Sequence, residues 1–238
     1  MNSVIVTKNN TLKSDSYYIE GLNFEKRIWL RYGLGDYTIK IYPAPIHDYT
    51  DYTKDPEYIT SPQSAYPTHW FNIKNNRNEE GIFKYPSYAV QSDESIIKEK
   101  AVSILTKSNK LNESIRVKSL YLMFYVLDTL TYDYQSAIGG KFRKPQDALY
   151  CMNTGNAVCE GYANLYGALL RSIGIKTKVV RSKTHAWNEV QDENGNWLLV
   201  DCTYNDTGYN GIYSQTKFWL SDLTANGENI KTDDREYK

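Results

Sequence analysis

Near residue 90 the apolar residues stop recurring every second position and begin to recur every third or fourth, so the chain must combine strands with helices. The prediction is an α+β protein: strands first, helices next, and strands again towards the end. Ahead of the switch, Ser3 to Thr7, Tyr17 to Glu20, Arg27 to Arg31 and Tyr37 to Tyr42 mix β-branched and aromatic residues, with Gly33, Gly35, Pro43 and Pro45 between or after them. That pattern predicts a small antiparallel, sandwich-like domain over residues 1–88. From His47 to Trp70, Tyr49, Tyr52, Tyr58 and Tyr66 lie among Asp, Thr and Pro without periodicity, and the segment reads as a long irregular excursion.

Composition narrows the class. The 238 residues are 41% apolar and 24% charged, a globular balance with enough chain to bury a core without staples. Lys plus Arg equals Asp plus Glu, 28 each, and neither side of residue 88 has a sign bias. This argues against a nucleic-acid partner or an anionic membrane surface. No apolar run is long enough for a membrane span, and the opening residues lack a basic-then-apolar leader pattern. Three cysteines, Cys151, Cys159 and Cys202, do not make a disulfide framework.

Pro86 and Ser87 mark a joint, with a second domain over 89–238. Ser92 is a candidate cap for a helix with Asp93 and Glu94 in its first turn and Ile96, Ile97, Ala101, Ile104 and Leu105 as its buried stripe. A second helix is expected from Asn112, its stripe Ile115, Leu120, Met123, Val126, Leu127 and Leu130 being interrupted by Ser119. Pro145 suits the start of a short third helix through Leu149.

The stretch from Asn156 to Asp206 is the informative one. Val158, Tyr162, Ala163, Tyr166, Leu169 and Leu170 recur at helical spacing and Gly174 stands at a left-handed cap position, which predicts a buried helix. With Asn156 as N-cap, Cys159 falls in the first turn, where free N–H groups and the helix dipole favour a thiolate. Glu160 opposes that, so a positive partner is required. Strands are expected over Lys176 to Ser182, Thr184 to Gln191 and Trp197 to Tyr204. A two-residue Asn194-Gly195 loop would send His185 and Asp201 to opposite faces. A three-residue loop, with Gly195 left-handed, pairs Asp192 with Asn196 and sets His185 opposite Thr203, Trp187 opposite Asp201, and His185 diagonal to Asp201 on one face. Cysteine at a helix start with histidine and aspartate on neighbouring strands is a coherent nucleophile, base and orienting acid.

The sequence V-C-E-G-Y-A, then L-L-R-S-I-G-I, H-A-W-N-E-V and G-N-W-L-L-V-D-C-T resembles the transglutaminase-like superfamily of bacterial type, whose core is similar to that of papain-type cysteine enzymes. The resemblance extends upstream through Val90 to Asp93 and the Tyr132, Asp133 pair. It implies helices packed on an antiparallel sheet, Cys159, His185 and Asp201 as the triad, no cofactor, and a protein or peptide substrate, a cell-wall peptide among the candidates. It departs at Ala157, where Gly is common, and at Tyr204, where Trp is common. The implied activity is cleavage or acyl transfer at an amide bond through a thioester, as a peptidase, amidase or protein-glutamine acyltransferase. The alternative is a catalytically silent adhesion or cell-wall-binding module. An extracellular or cell-envelope location follows from the same resemblance. Eukaryotic transglutaminases place an upstream Trp at the oxyanion; this chain has no Trp between Trp70 and Trp187, which leaves Tyr132 as a candidate.

Tyr132, Tyr162, Trp187 and Tyr204 are the candidate pocket residues, with Trp187 and Trp197 reading first as packing around the triad. Cys151 and Cys202 read as core. His47 and His69 lack metal-ligand spacing and read as surface residues, so no metal site is expected. Glu160, Glu189 and Asp206 read as solvated charges.

Overall fold

The computed structural model describes residues 2–19, 25–43, 67–78, 81–138, 144–182, 184–209 and 211–223. Four strands near the start, β1 (Asn2–Lys8), β2 (Ser14–Ile19), β3 (Gly35–Pro43) and β4 (His69–Asn75), form one antiparallel sheet in the order β2-β1-β3-β4. Val4, Val6, Tyr17, Ile19, Tyr37 and Ile39 bury one face of it by strict alternation. Among the described residues the layer over that face is not a second sheet but irregular chain, so the sandwich expectation is corrected. Arg27 to Arg31, expected as a strand, belongs to this layer. Arg31 is 1% exposed and grips Asp15 of β2 with two hydrogen bonds, Nε to Oδ2 at 3.0 Å and Nη2 to Oδ1 at 2.5 Å, while Nη1 donates to the Ile82 carbonyl at 2.9 Å. The expected excursion from His47 also ends early, because His69 and Trp70 open β4; its tyrosines Tyr49, Tyr52, Tyr58 and Tyr66, with His47, lie outside the described residues.

Two helices follow, α1 (Ser95–Lys107) and α2 (Ile115–Thr129). The first starts three residues past Ser92, which is itself buried, and it buries Ile97, Ala101 and Leu105 while leaving Ile96 exposed. The second is capped by Ser114, whose side chain accepts from Val117 N–H at 3.4 Å, not from Asn112. Ser119, the break in its stripe, is buried because a small residue lets α2 approach its neighbour: the Tyr166 hydroxyl donates to the Ser119 carbonyl at 3.1 Å.

Short elements lead to the centre: β5 (Thr131–Tyr132), α3 (Tyr134–Ile138), α4 (Ala148–Thr154) and β6 (Asn156–Ala157), with β5 and β6 paired in parallel. Asp147 caps α4 by accepting from Tyr150 N–H at 3.0 Å, so that helix starts after Pro145 and runs beyond Leu149. Then comes α5 (Cys159–Ser172), in which every residue from Glu160 to Arg171 is buried. A helix covered on all sides is the core itself, and α5 packs against α1, α2, α4 and the second sheet. It ends as expected: Gly174 has φ +85°, its N–H reaches the Arg171 carbonyl at 2.9 Å, and Ile175 N–H reaches Leu170 at 3.0 Å.

The second sheet contains β7 (Thr177–Arg181), β8 (Ala186–Gln191), β9 (Trp197–Val200) and β12 (Phe218–Leu220) in the order β12-β9-β8-β7. The hairpin β10 (Asp206–Tyr209) and β11 (Ile212–Tyr213) projects between β9 and β12 in the chain. Asn188 of β8 ties sheet to helix, its Nδ2 donating to the Ala163 carbonyl of α5 at 3.0 Å. The β8–β9 register is that of the three-residue loop: Gln191 faces Trp197, Asp192 N–H reaches the Asn196 carbonyl at 2.9 Å, and Gly195 has φ +86°. Contacts also cross residue 88, among them Thr177 N–H to the Phe83 carbonyl at 2.8 Å and Arg171 Nη1 to the Tyr85 carbonyl at 3.1 Å.

One glycine governs how closely α5 can start against α4. A Cβ on Gly161 would stand 2.6 Å from Cys151 Sγ, 2.6 Å from Gln146 Oε1 and 2.7 Å from Ala157 Cβ. Gly161→Ala is therefore expected to destabilise the fold by about 1–3 kcal/mol in urea unfolding despite alanine's better helix propensity.

Candidate active site

Cys159 is the first residue of α5, and Val158 before it is the N-cap without a capping side chain. Asn156 is not the cap; it lies in β6, where Thr131 and Tyr132 pair alongside and hold the approach to the helix. The Val158 N–H is taken instead by the Gln146 side chain, Oε1 accepting at 2.9 Å. The next amides therefore open the helix with its positive end at the half-exposed Cys159.

His185 sits immediately before β8, set by a tight turn. Ser182 Oγ accepts from His185 N–H at 3.0 Å, and Ser182 N–H donates to the His185 carbonyl at 2.8 Å. Asp201 follows β9 and is fully buried. Its Oδ2 lies 2.7 Å from His185 Nε2, and its Oδ1 accepts from Tyr204 N–H at 3.0 Å. That second bond makes Asp201 the N-cap of α6 (Cys202–Asn205), so the strand expected through Tyr204 ends at Val200. Consequently Thr203 has no strand partner opposite His185, although the diagonal meeting of His185 with Asp201 holds.

Nε2 is committed to Asp201, and the Cys159 side chain, at the start of α5, acts on the same ring. Burial pulls the imidazole's pKa down, but hydrogen bonds to Asp201 and Cys159 and the attraction of their charges outweigh it and push it from 6.5 up to about 10. Trp187 stacks behind the ring, centroids 5.8 Å apart and planes inclined at 23°.

The four expected pocket residues separate. Tyr132 is half-buried beside the nucleophile, its phenol raised by burial and by the Cys159 charge. Tyr162 is core, its hydroxyl donating to Asp206 Oδ2 at 2.7 Å and the Leu130 carbonyl at 3.1 Å, which removes it from the pocket wall. Trp187, 1% exposed, backs the histidine and offers no surface to a ligand. Tyr204 is exposed on α6 with Lys217 over its ring. Trp197 is not near the triad: it lies at the Gln191 end of β8, with Lys178 Nζ 3.9 Å from its ring centroid. A shallow groove lined by Phe83, Lys84, Lys176 and Trp197 lies at that same far end, about 20 Å along the strand from His185.

Of the three charges read as solvated, Glu160 and Glu189 are buried and Asp206 is half-buried. Glu189 is fully buried against Lys178 Nζ at 2.8 Å, Asp206 accepts from Tyr162, and Glu160 is buried with Arg181 Nη2 at 3.5 Å. A buried carboxylate needs a partner, and each partner comes from a neighbouring element that periodicity alone does not align. Cys151 and Cys202 are core, as expected. Gln146 and Asn164 were not anticipated. Asn164 is fully buried, its Nδ2 donating to the Gln146 carbonyl at 2.8 Å. Among the described residues no cluster of three or more His, Cys, Asp or Glu could hold a metal, and no helix is long and apolar enough to cross a membrane.

The family profile described as the transglutaminase-like superfamily matches residues 102–202. The α+β arrangement of helices on an antiparallel sheet is consistent with that profile. Among solved structures, a candidate cysteine protease from Cytophaga hutchinsonii is similar at 14% identity and TM-score 0.42, over 98% of this chain and 81% of that one. A TGase is similar at 20% identity and TM-score 0.38, over 57% of this chain and 37% of its own. The red sea bream transglutaminase is similar at 11% identity and TM-score 0.36, over 85% of this chain and 46% of its own. No curated protein matches the chain.

The raised imidazole has a consequence for stability. Its contribution is fully present below the unfolded-state value of 6.5 and is lost as pH rises through about 10. The difference in melting temperature between the protein and His185→Gln is expected to shrink steadily between pH 6.5 and pH 10 in a thermal-melt series. A pH-independent difference would show that the ring gains no proton affinity on folding.

Proposed function

We propose that the protein is a cysteine-nucleophile enzyme that acts on amide bonds, with Cys159 as nucleophile, His185 as general base and acid, and Asp201 as the residue that orients the imidazole. One observation supports this above the others: His185 is fixed through Nε2 by a buried carboxylate at 2.7 Å, and Cys159, at a helix N-terminus, lies near enough to help raise the imidazole's pKa. A purely structural histidine would not need both.

In the proposed cycle the Cys159 sulfur, its proton held on Nδ1 of His185, attacks the amide carbonyl carbon. The tetrahedral oxyanion is received by the Cys159 backbone N–H at the start of α5, with Tyr132 the side chain best placed to assist. Collapse breaks the C–N bond, the Nδ1 proton leaves with the amine, and a thioester remains on Cys159. His185 then takes a proton from water, or from an acceptor amine, as that nucleophile adds to the thioester; the acyl product departs and the thiol is restored. Hydrolysis is favoured over transamidation, because the His185 side chain is 21% exposed and Cys159 is half-exposed, which gives water access to an acyl-enzyme. The substrate class that fits is a protein or peptide, cell-wall peptides included. The two-domain division at residue 88 and an extracellular or cell-envelope location are parts of the same proposal.

Brief sub-stoichiometric iodoacetamide treatment, followed by intact and peptide mass spectrometry, tests the reading. Labelling is expected at Cys159 ahead of the buried Cys151 and Cys202 at a pH well below 8, and to slow about 10²–10⁴-fold in His185→Ala. Slow, unselective labelling with no dependence on His185 contradicts it. With amide peptides as substrate, the product is expected to gain the mass of water even when a primary amine is present; amine incorporation in its place would assign the chain to acyl transfer.

A further inference from the structure

Glu160 is the immediate neighbour of Cys159, and it is buried where a second negative charge opposes a thiolate. From the end of β7, Arg181 reaches across to it: Nη2 is 3.5 Å from Glu160 Oε1 and 3.2 Å from Asn164 Oδ1. Asn164 passes the contact on through Nδ2 to the Gln146 carbonyl, and Gln146 Oε1 holds the Val158 N–H directly before the nucleophile. Arg181 is also the β7 partner of Ala186, the residue after His185. The guanidinium thus spans the two segments that present the nucleophile and the base, from a position where its side chain is 22% exposed.

We propose that Arg181 is a positioning residue for the Cys159 nucleophile: it neutralises Glu160 beside the sulfur and, through Asn164 and Gln146, fixes the start of α5 against the sheet edge that holds His185. This rests on the reading of Cys159 and His185 given above. His185, with Asp201 behind it, and Tyr132 from β5 interact electrostatically with Cys159, and Cys151 of α4 with Glu160. Arg181 pairs with the buried Glu160, and Asn164 Oδ1 holds the same Nη2 at 3.2 Å.

The test is the pH dependence of Cys159 alkylation by iodoacetamide in the full chain, compared for the protein, R181Q, E160Q, R181Q/E160Q and R181K. R181Q is expected to raise the midpoint, because a positive partner of Glu160 is removed from the start of α5. E160Q is expected to lower it, since a negative charge next to the sulfur is removed while the guanidinium remains. The double variant is expected to return close to the protein's own midpoint, and R181K to lie between the protein and R181Q. A merely structural arginine would change the melting transition without moving the alkylation midpoint. An unchanged midpoint in R181Q, or a double variant no closer to the protein than R181Q, overturns the proposal. Should R181Q lose its cooperative melting transition, E160Q decides, and a midpoint that fails to fall overturns it. If the protein itself labels as an ordinary thiol and ignores His185→Ala, both readings fall; if it labels early while its midpoint ignores Arg181 and Glu160, this one alone does.

Discussion

His185 and Asp201, from neighbouring strands of one sheet, meet at 2.7 Å, and the rest of the site is arranged around that contact. The carboxylate is fully buried, so its two oxygens must both be used. One receives the imidazole, and the other caps the helical turn that ends β9. The same side chain therefore stops the strand and holds the imidazole. The ring is stacked on Trp187, and Cys159 at the start of α5 adds to its proton affinity.

Around this contact the fold supplies a helix enclosed on all sides. α5 is buried over nearly its whole length, and polar contacts that anchor it are made by named side chains: Asn188 to the Ala163 carbonyl, Tyr166 to the Ser119 carbonyl, and Asn164 to the Gln146 carbonyl. Gly161 allows α4 and β6 to press against its first turn. A side chain on N1 of such a helix, here Cys159, has its direction set by packing and by the Gln146 bond to Val158 as well as by its own rotamer.

Much of this was legible in the sequence because the deciding residues act locally. Gly195 forces a left-handed loop position, and with Asp192 and Asn196 it fixes the register that sets His185 near Asp201. Gly174 closes α5 in the same way. Other features depended on contacts that no window of sequence contains. Asp201 is both strand end and helix cap, and a run of apolar residues before it hides the second role. Arg31 turns an apparent strand into a covering layer because its partner Asp15 comes from β2. Glu160, Glu189 and Asp206 look like surface charges until Arg181, Lys178 and Tyr162 arrive from other elements. Tyr162 and Trp187 fail as pocket residues for a related reason, since an aromatic near a nucleophile in sequence is as readily part of its support.

The account turns on the ionisation of one ring. With three histidines in the chain, the His185 signals can be assigned by comparison with His185→Gln and followed by nitrogen-15 imidazole NMR as a function of pH. The ring is expected to stay protonated far above 6.5, titrating towards about 10, and to fall back towards its ordinary value when Cys159 and Asp201 are both replaced by neutral residues. A His185 ring that titrates near 6.5 in the intact protein would contradict the account.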